Sequence, residues 1–265
     1  MKSIFNRKTL TVAGTLFSLV VFMGVADASH SWGGYHWART ANPFTLKLGN
    51  NTSGTWTNHL GTVSADWSAS SVLNTEIVAG KTKPKSCRPT KGRVEICNAS
   101  YGNTGWLGVA QIWISGKHIT QGTVKNNDYY FSSASTYPYN NESEKLHVMC
   151  QEVGHTLGLD HQSEDGSSLN TCMDYYHNTS NADTLSTHPN AHDYEELEII
   201  YAHLDGTNTV LSSAPTKGNS ANVNTDNVSD WGKEIRKDSN GRNSLFERDL
   251  GNGNKVFTFV IWGRE

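Results

Sequence analysis

"CQEVGHTLGLDH", residues 150–161, is the stretch that decides how this chain is read. On an α-helix, residues four apart project from one face about 6 Å apart along the axis, so Gln151 and His155 can reach a common ion. Glu152 stands one step round the helix, placed to take a proton from a water on that ion. Only glycine enters the left-handed conformation without a steric penalty, so Gly158 is expected to end the helix and reverse the chain. His161 can then come back as a third ligand. The resulting spacing, E-x-x-H-x-x-G-x-x-H, is far more specific than E-x-x-H alone, which commonly marks a solvated helix face.

Apolar periodicity extends this helix upstream through Leu146, Met149, Val153 and Leu157, and Asn141 followed by Glu144 resembles a capping box. His147 shares a face with Gln151 but lies roughly 12 Å along the axis from His155, too far for both to make bonds of about 2.1 Å to one zinc, and reads as a surface histidine. Earlier in the chain, Trp56, Leu60, Val63 and Trp67 fall on one face of another helix, capped by Ser53 or Thr55. A further helix is expected near residues 190–203, with Asn190 as cap and Tyr194, Leu197 and Tyr201 on one face. Between and around these, "NPFTLKLG", "TEIVA", "RVEIC", "WLGVAQIWIS" and "HITQGTVK" read as strands punctuated by Gly and Pro. Residues 206–229, rich in Ser, Asn, Thr and Gly, read as a linker, and "KVFTFVIW" after "GNGN" reads as a strand following a turn. The class is α+β.

Composition sets the compartment. Residues 1–28 combine Lys2, Arg7 and Lys8 with an apolar run from Leu10 to Val25 and the small-x-small stretch Ala26-Asp27-Ala28, the pattern of a cleavable signal peptide. No later run is long and apolar enough to span a bilayer, so a secreted mature chain with no membrane partner is expected. About 237 residues then remain, enough for one domain over 29–205 followed by a linker and β-rich extension over 206–265. A net charge of -3 lacks the basic footprint of a nucleic-acid binder. Four cysteines in an exported chain favour disulfides. Cys87 and Cys97 bracket a Pro- and Gly-containing turn that a short bridge would close.

Taken together, residues 35 to about 203 resemble the metzincin clan of zinc endopeptidases, nearest its secreted, matrixin-like members, with Gln151 standing where zinc proteases of this kind carry their first histidine. The resemblance implies a twisted mixed five-stranded sheet with an active-site helix and a C-terminal helix, and a cleft along one sheet edge that pairs with an extended peptide. By order, "WLGVAQIWIS" is the candidate edge. It implies zinc as cofactor, with Gln151, His155 and His161 as ligands and Glu152 as the base. Met173 corresponds to the methionine packed beneath the metal site, and Tyr175, two residues on, to the tyrosine that ligates metal or stabilises an oxyanion. The methionine turn lies under the helix, so a Cys150–Cys172 bridge would tie the two together. Matrixins commonly carry a pro-segment cysteine that blocks the zinc. "SWGGYHWAR", residues 31–39, has none, so latency is expected to come from elsewhere. The expected activity is hydrolysis of extended peptide or protein substrates by a monomer. The alternative is a catalytically inactive peptide- or protein-binding protein on the same fold.

Overall fold

Alternation of Phe44, Leu46 and Leu48 with Thr45 and Lys47 builds a strand that starts the central sheet. The computed structural model describes residues 1, 30–132, 137–210 and 224–263. Residues 2–28 of the expected leader and 211–223 of the expected linker lie outside the described residues. In chain order, the elements of the first part are β1 (His36–Trp37), β2 (Phe44–Asn51), α1 (Trp56–Trp67), β3 (Leu73–Ala79), β4 (Arg93–Ala99), β5 (Trp106–Ser115) and β6 (His118–Asn127). There follow a short α2 (Asp128–Phe131), α3 (Glu142–Thr156), α4 (Ala191–Ile200), β7 (Lys233–Lys237), β8 (Asn243–Gly251) and β9 (Asn254–Trp262).

The four apolar residues that define α1 are all buried, and they face α3 across the top of the sheet. Asn141 caps α3 by accepting the Glu144 amide at 2.9 Å, but the Glu144 carboxylate does not complete the reciprocal box. It turns instead to His177 Nδ1 and the Asn178 amide, each at 2.6 Å. A full capping box forms at α4 between Asn190 and Asp193. Among the described residues, no helix is long and apolar enough to cross a membrane.

The sheet has nine strands where the resemblance implied five, in the order β3-β2-β4-β6-β5-β9-β8-β7 with β1 on β6. Strands β3, β2, β4 and β6 are mutually parallel, and β5 is antiparallel to β6. The second half of the chain continues the same sheet: β9 pairs antiparallel along the whole of β5, and β8 and β7 follow. The physical reason is the composition of the two strands. β5 is buried at nine consecutive positions and β9 at six, so each must be covered on both faces. One face packs on the helices. The other forms a smaller core of Trp106, Val109, Trp231, Phe246 and Val260.

Two disulfides join Cys87 to Cys97 and Cys150 to Cys172, with Cα separations of 6.0 and 5.8 Å.

Candidate functional site

α3 carries Gln151, Glu152 and His155 into the interior, all fully buried. It ends at Thr156, and Gly158 adopts φ +106, where a Cβ would lie 2.6 Å from the Tyr35 carbonyl oxygen. That reversal brings His161 back to His155, with their Nε2 atoms 3.1 Å apart. Each ring is fixed from behind. His155 Nδ1 donates to the Leu159 carbonyl at 2.9 Å, and His161 Nδ1 to Glu164 Oε1 at 2.7 Å. Burial opposes ionisation of Glu164, but the hydrogen bond and charge of His161 and the Arg236 guanidinium hold its carboxyl below the usual range. With each Nδ1 engaged behind its ring, both Nε2 atoms point at one spot. Burial, and then the neighbouring His161, push the His155 pKa well down, so the ring stays neutral and able to ligate.

Gln151 donates its amide nitrogen to the Asp174 carbonyl at 2.7 Å. Its Oε1 is buried and makes no hydrogen bond among the described residues. An orphaned buried acceptor one helical turn before a pair of converging Nε2 atoms fits a bound cation, and imidazole donors select the zinc type over calcium or magnesium. Glu152 lies against β5, where a Cβ on Gly108 would sit 3.0 Å from its Oε1. Neither carboxyl oxygen makes a hydrogen bond of good geometry among the described residues. Burial pushes this carboxyl well above its ordinary range, opposed only weakly by the facing amides of Ala110 and Ile261.

Beneath the helix, Met173 packs so tightly on Gly154 that a Cβ there would be 2.4 Å from its sulfur. The Cys150–Cys172 bridge fastens this turn to α3. Tyr175 stands over the His161 ring, 5.2 Å between centroids at 81°. Its hydroxyl donates to the Val260 carbonyl at 3.2 Å and accepts the Trp262 amide at 2.9 Å. Gln151, Glu152, His155, His161, Met173 and Tyr175 are therefore assembled in one place.

The edge of β5 is not open. β9 fills the groove, with Ala110 opposite Phe259 and Val109 opposite Val260. The Phe259 ring stacks on His155, 4.0 Å between centroids at 14°. Arg236 of β7 clasps Asp160 and reaches Glu164 at 3.4 Å, tying the added strands to the loop that holds His161. Sequence reasoning missed this cover, although the near-continuous apolar run of "KVFTFVIW" carries the signal of a strand buried on both faces. It also misplaced His147, which is fully buried. Its Nε2 lies 3.1 Å from the Asp174 carbonyl, and its Nδ1 is 3.5 Å from Glu144. His177 is likewise committed to Glu144.

No protein-family model matches the chain, and no curated protein matches its sequence.

Proposed function

We propose that this chain is a secreted zinc-dependent endopeptidase of metzincin type whose peptide groove is filled, at rest, by its own C-terminal strand. The observation that carries the reading is the pair of buried imidazoles, His155 and His161, whose Nε2 atoms converge at 3.1 Å at the end of the helix that carries Glu152. His155 and His161, with Gln151 Oε1, would hold the zinc, which when bound supplies a Lewis acid and a water of lowered pKa. Glu152 is the base that holds the proton given up by that water and passes it to the leaving amine. The Tyr175 hydroxyl donates to the carbonyl oxygen of the bond being cut, as it donates to Val260 here. β5 holds the peptide by backbone pairing, as it holds β9.

On this reading β9 occupies the position of an extended substrate. In the Val260–Ile261 unit the carbonyl rests on Tyr175 and the amide faces Glu152, the disposition of a scissile bond. The same cover gives latency a physical basis, since a carboxyl driven neutral by burial cannot accept a proton. A non-catalytic peptide-binding protein is the second reading. It is favoured by the filled groove and by the Gln151 amide, whose nitrogen is already engaged.

The test is cleavage of a mixed peptide library by the secreted protein, with zinc, with chelator, and with Glu152→Ala alongside. Chelator-sensitive cleavage that disappears in Glu152→Ala is expected. Absence of cleavage above the Glu152→Ala background, from folded zinc-supplied protein whose groove has been loosened by Phe259→Ala, would move the assignment to the binding protein.

A further inference from the structure

Around β1, three histidines and one aspartate converge from three separate parts of the chain. The parallel pairing of β1 with β6 sets His36 directly beside His118. The segment following α4 adds His203 and Asp205, docked by Arg39. The Arg39 guanidinium donates to the carbonyls of Tyr201 and His203, and its own carbonyl accepts the Asp205 amide at 2.9 Å. Asp205 Oδ1 lies 3.3 Å from His36 Nε2, 3.1 Å from His118 Nε2 and 3.6 Å from His203 Nε2. His36 Nε2 and His203 Nε2 are 3.1 Å apart. The rings stand edge-on around one point, His36 to His203 at 90° and His36 to His118 at 78°.

From these positions we infer a second metal site, separate from α3, in which His36, His203 and Asp205 ligate a zinc-type dication, with His118 as an outer contact on Asp205. Zinc–nitrogen bonds of about 2.0–2.1 Å place tetrahedral ligand atoms roughly 3.3–3.4 Å apart, and the separations above bracket that value. The Gly34 carbonyl accepts from His36 Nδ1 at 2.9 Å, which turns Nε2 toward Asp205. The outer contacts are those of a built site: Gly34 orients His36, and Arg39 Nη1 and its backbone amide hold Asp205 Oδ2 at 2.9 and 3.2 Å, turning Oδ1 inward. Two imidazoles make calcium and magnesium poor matches for the site. A metal here would join the first strand, the β5–β6 hairpin and the segment after α4, so its role is structural.

The proposal does not depend on the endopeptidase reading, and one experiment separates them. Full-length protein is loaded with Zn2+, dialysed, and its metal content measured, followed by titration with Co2+ read by its visible absorption. The variants are His203→Ala, chosen because that side chain is 54% exposed and its loss spares the fold, His118→Ala, and His155→Ala with His161→Ala. Loss of about one equivalent of zinc and of the matching Co2+ band in His203→Ala is expected, whether or not the α3 pair binds a second equivalent. His118→Ala is expected to weaken the same equivalent by at least about tenfold. Unchanged zinc content in both His203→Ala and His118→Ala would overturn the proposal. Loss of that equivalent only in the His155/His161 variant would assign the metal to α3 and overturn it equally.

Discussion

Replacing Phe259 with alanine asks whether β9 is a seated strand that can leave or a fixed part of the sheet. The ring is fully buried, stacked on His155 at 4.0 Å and edge-on to Trp32 at 5.4 Å. Truncating a buried Phe to Ala costs about 3–5 kcal/mol. At about 1.4 kcal/mol per factor of ten, a cost borne by the seated state alone shifts the balance between seated and displaced β9 by roughly 10²- to 4 × 10³-fold. Hydrogen exchange reads this directly. Amides of β9 and the facing amides of β5 are expected to exchange faster by that factor, while those of α1 keep their protection. Chelator-sensitive peptide cleavage should rise in step, and Phe259→Ala with Glu152→Ala should stay silent. Equal loss of protection in α1 would show that β9 leaves only when the whole domain unfolds. Free β5 amides without chelator-sensitive cleavage would refute the identification of this groove as a substrate site.

Tyr175→Phe should cost about 1–3 kcal/mol, because it orphans the Trp262 amide and removes a donor from the Val260 carbonyl, seen as a lowered Tm. In the Phe259→Ala background it should lower kcat by roughly 10²-fold and leave KM nearly unchanged. Gln151→His replaces a neutral amide with a preferred zinc donor, so metal retention measured by equilibrium dialysis against a chelator should tighten by at least about tenfold. Glu144 provides an acid-sensitive anchor for α3. Burial works against its ionisation, yet His177 and His147 hold the carboxyl down from 4.5 to about 2. A depressed carboxyl stabilises fully above the unfolded value and loses that contribution as pH falls from about 4.5 towards 2, on the order of 3 kcal/mol. Denaturation followed over that pH range should therefore be steep in the wild type and flattened in Glu144→Gln.

Local rules explain which parts were legible in the sequence. Trp56, Leu60, Val63 and Trp67 gave α1 because helical period alone decides which face is buried. Asn141 and Gly158 marked the start and end of α3 through capping and left-handed geometry, and fixed spacing brought His155 and His161 together. What escaped depends on partners far away in the chain. Glu144 was read as a capping-box residue, but tertiary structure offered it His177 and the Asn178 amide, stronger partners than its own helix terminus. His147 was assigned to the surface on distance from a metal, whereas the Asp174 loop closes over it. The cluster at His36 required knowing that β1 would pair with β6 and that Arg39 would hold the 203–205 segment, neither of which leaves a periodic trace.

How the sheet ends bears on whether the β5 edge was meant to stay open. A free edge strand invites pairing with other chains, and proteins blunt it with charge and bulges. β5 carries no charge along "WLGVAQI", although its register with β9 shifts between Trp106 and Gly108, and it is buried throughout that run. β7 has both. Its sequence is "KEIRK", most of it exposed, and its pairing with β8 shifts register on either side of Arg236. The charges that protect an edge thus sit at the outer limit of the β9-β8-β7 extension, and β5 itself has none along that run. A strand built like β5 is soluble only when covered, by β9 or by a bound peptide. On the proposed reading, an incoming peptide would have to displace a strand held by backbone pairing, by Phe259 and by the Arg236 clasp, and affinity for peptides should rise in Arg236→Ala even when the groove residues are untouched. Peptide binding measured in a Glu152→Ala background, where no cleavage intervenes, isolates that competition. Equal affinity with and without the clasp would mean that β7 plays no part in holding the groove shut.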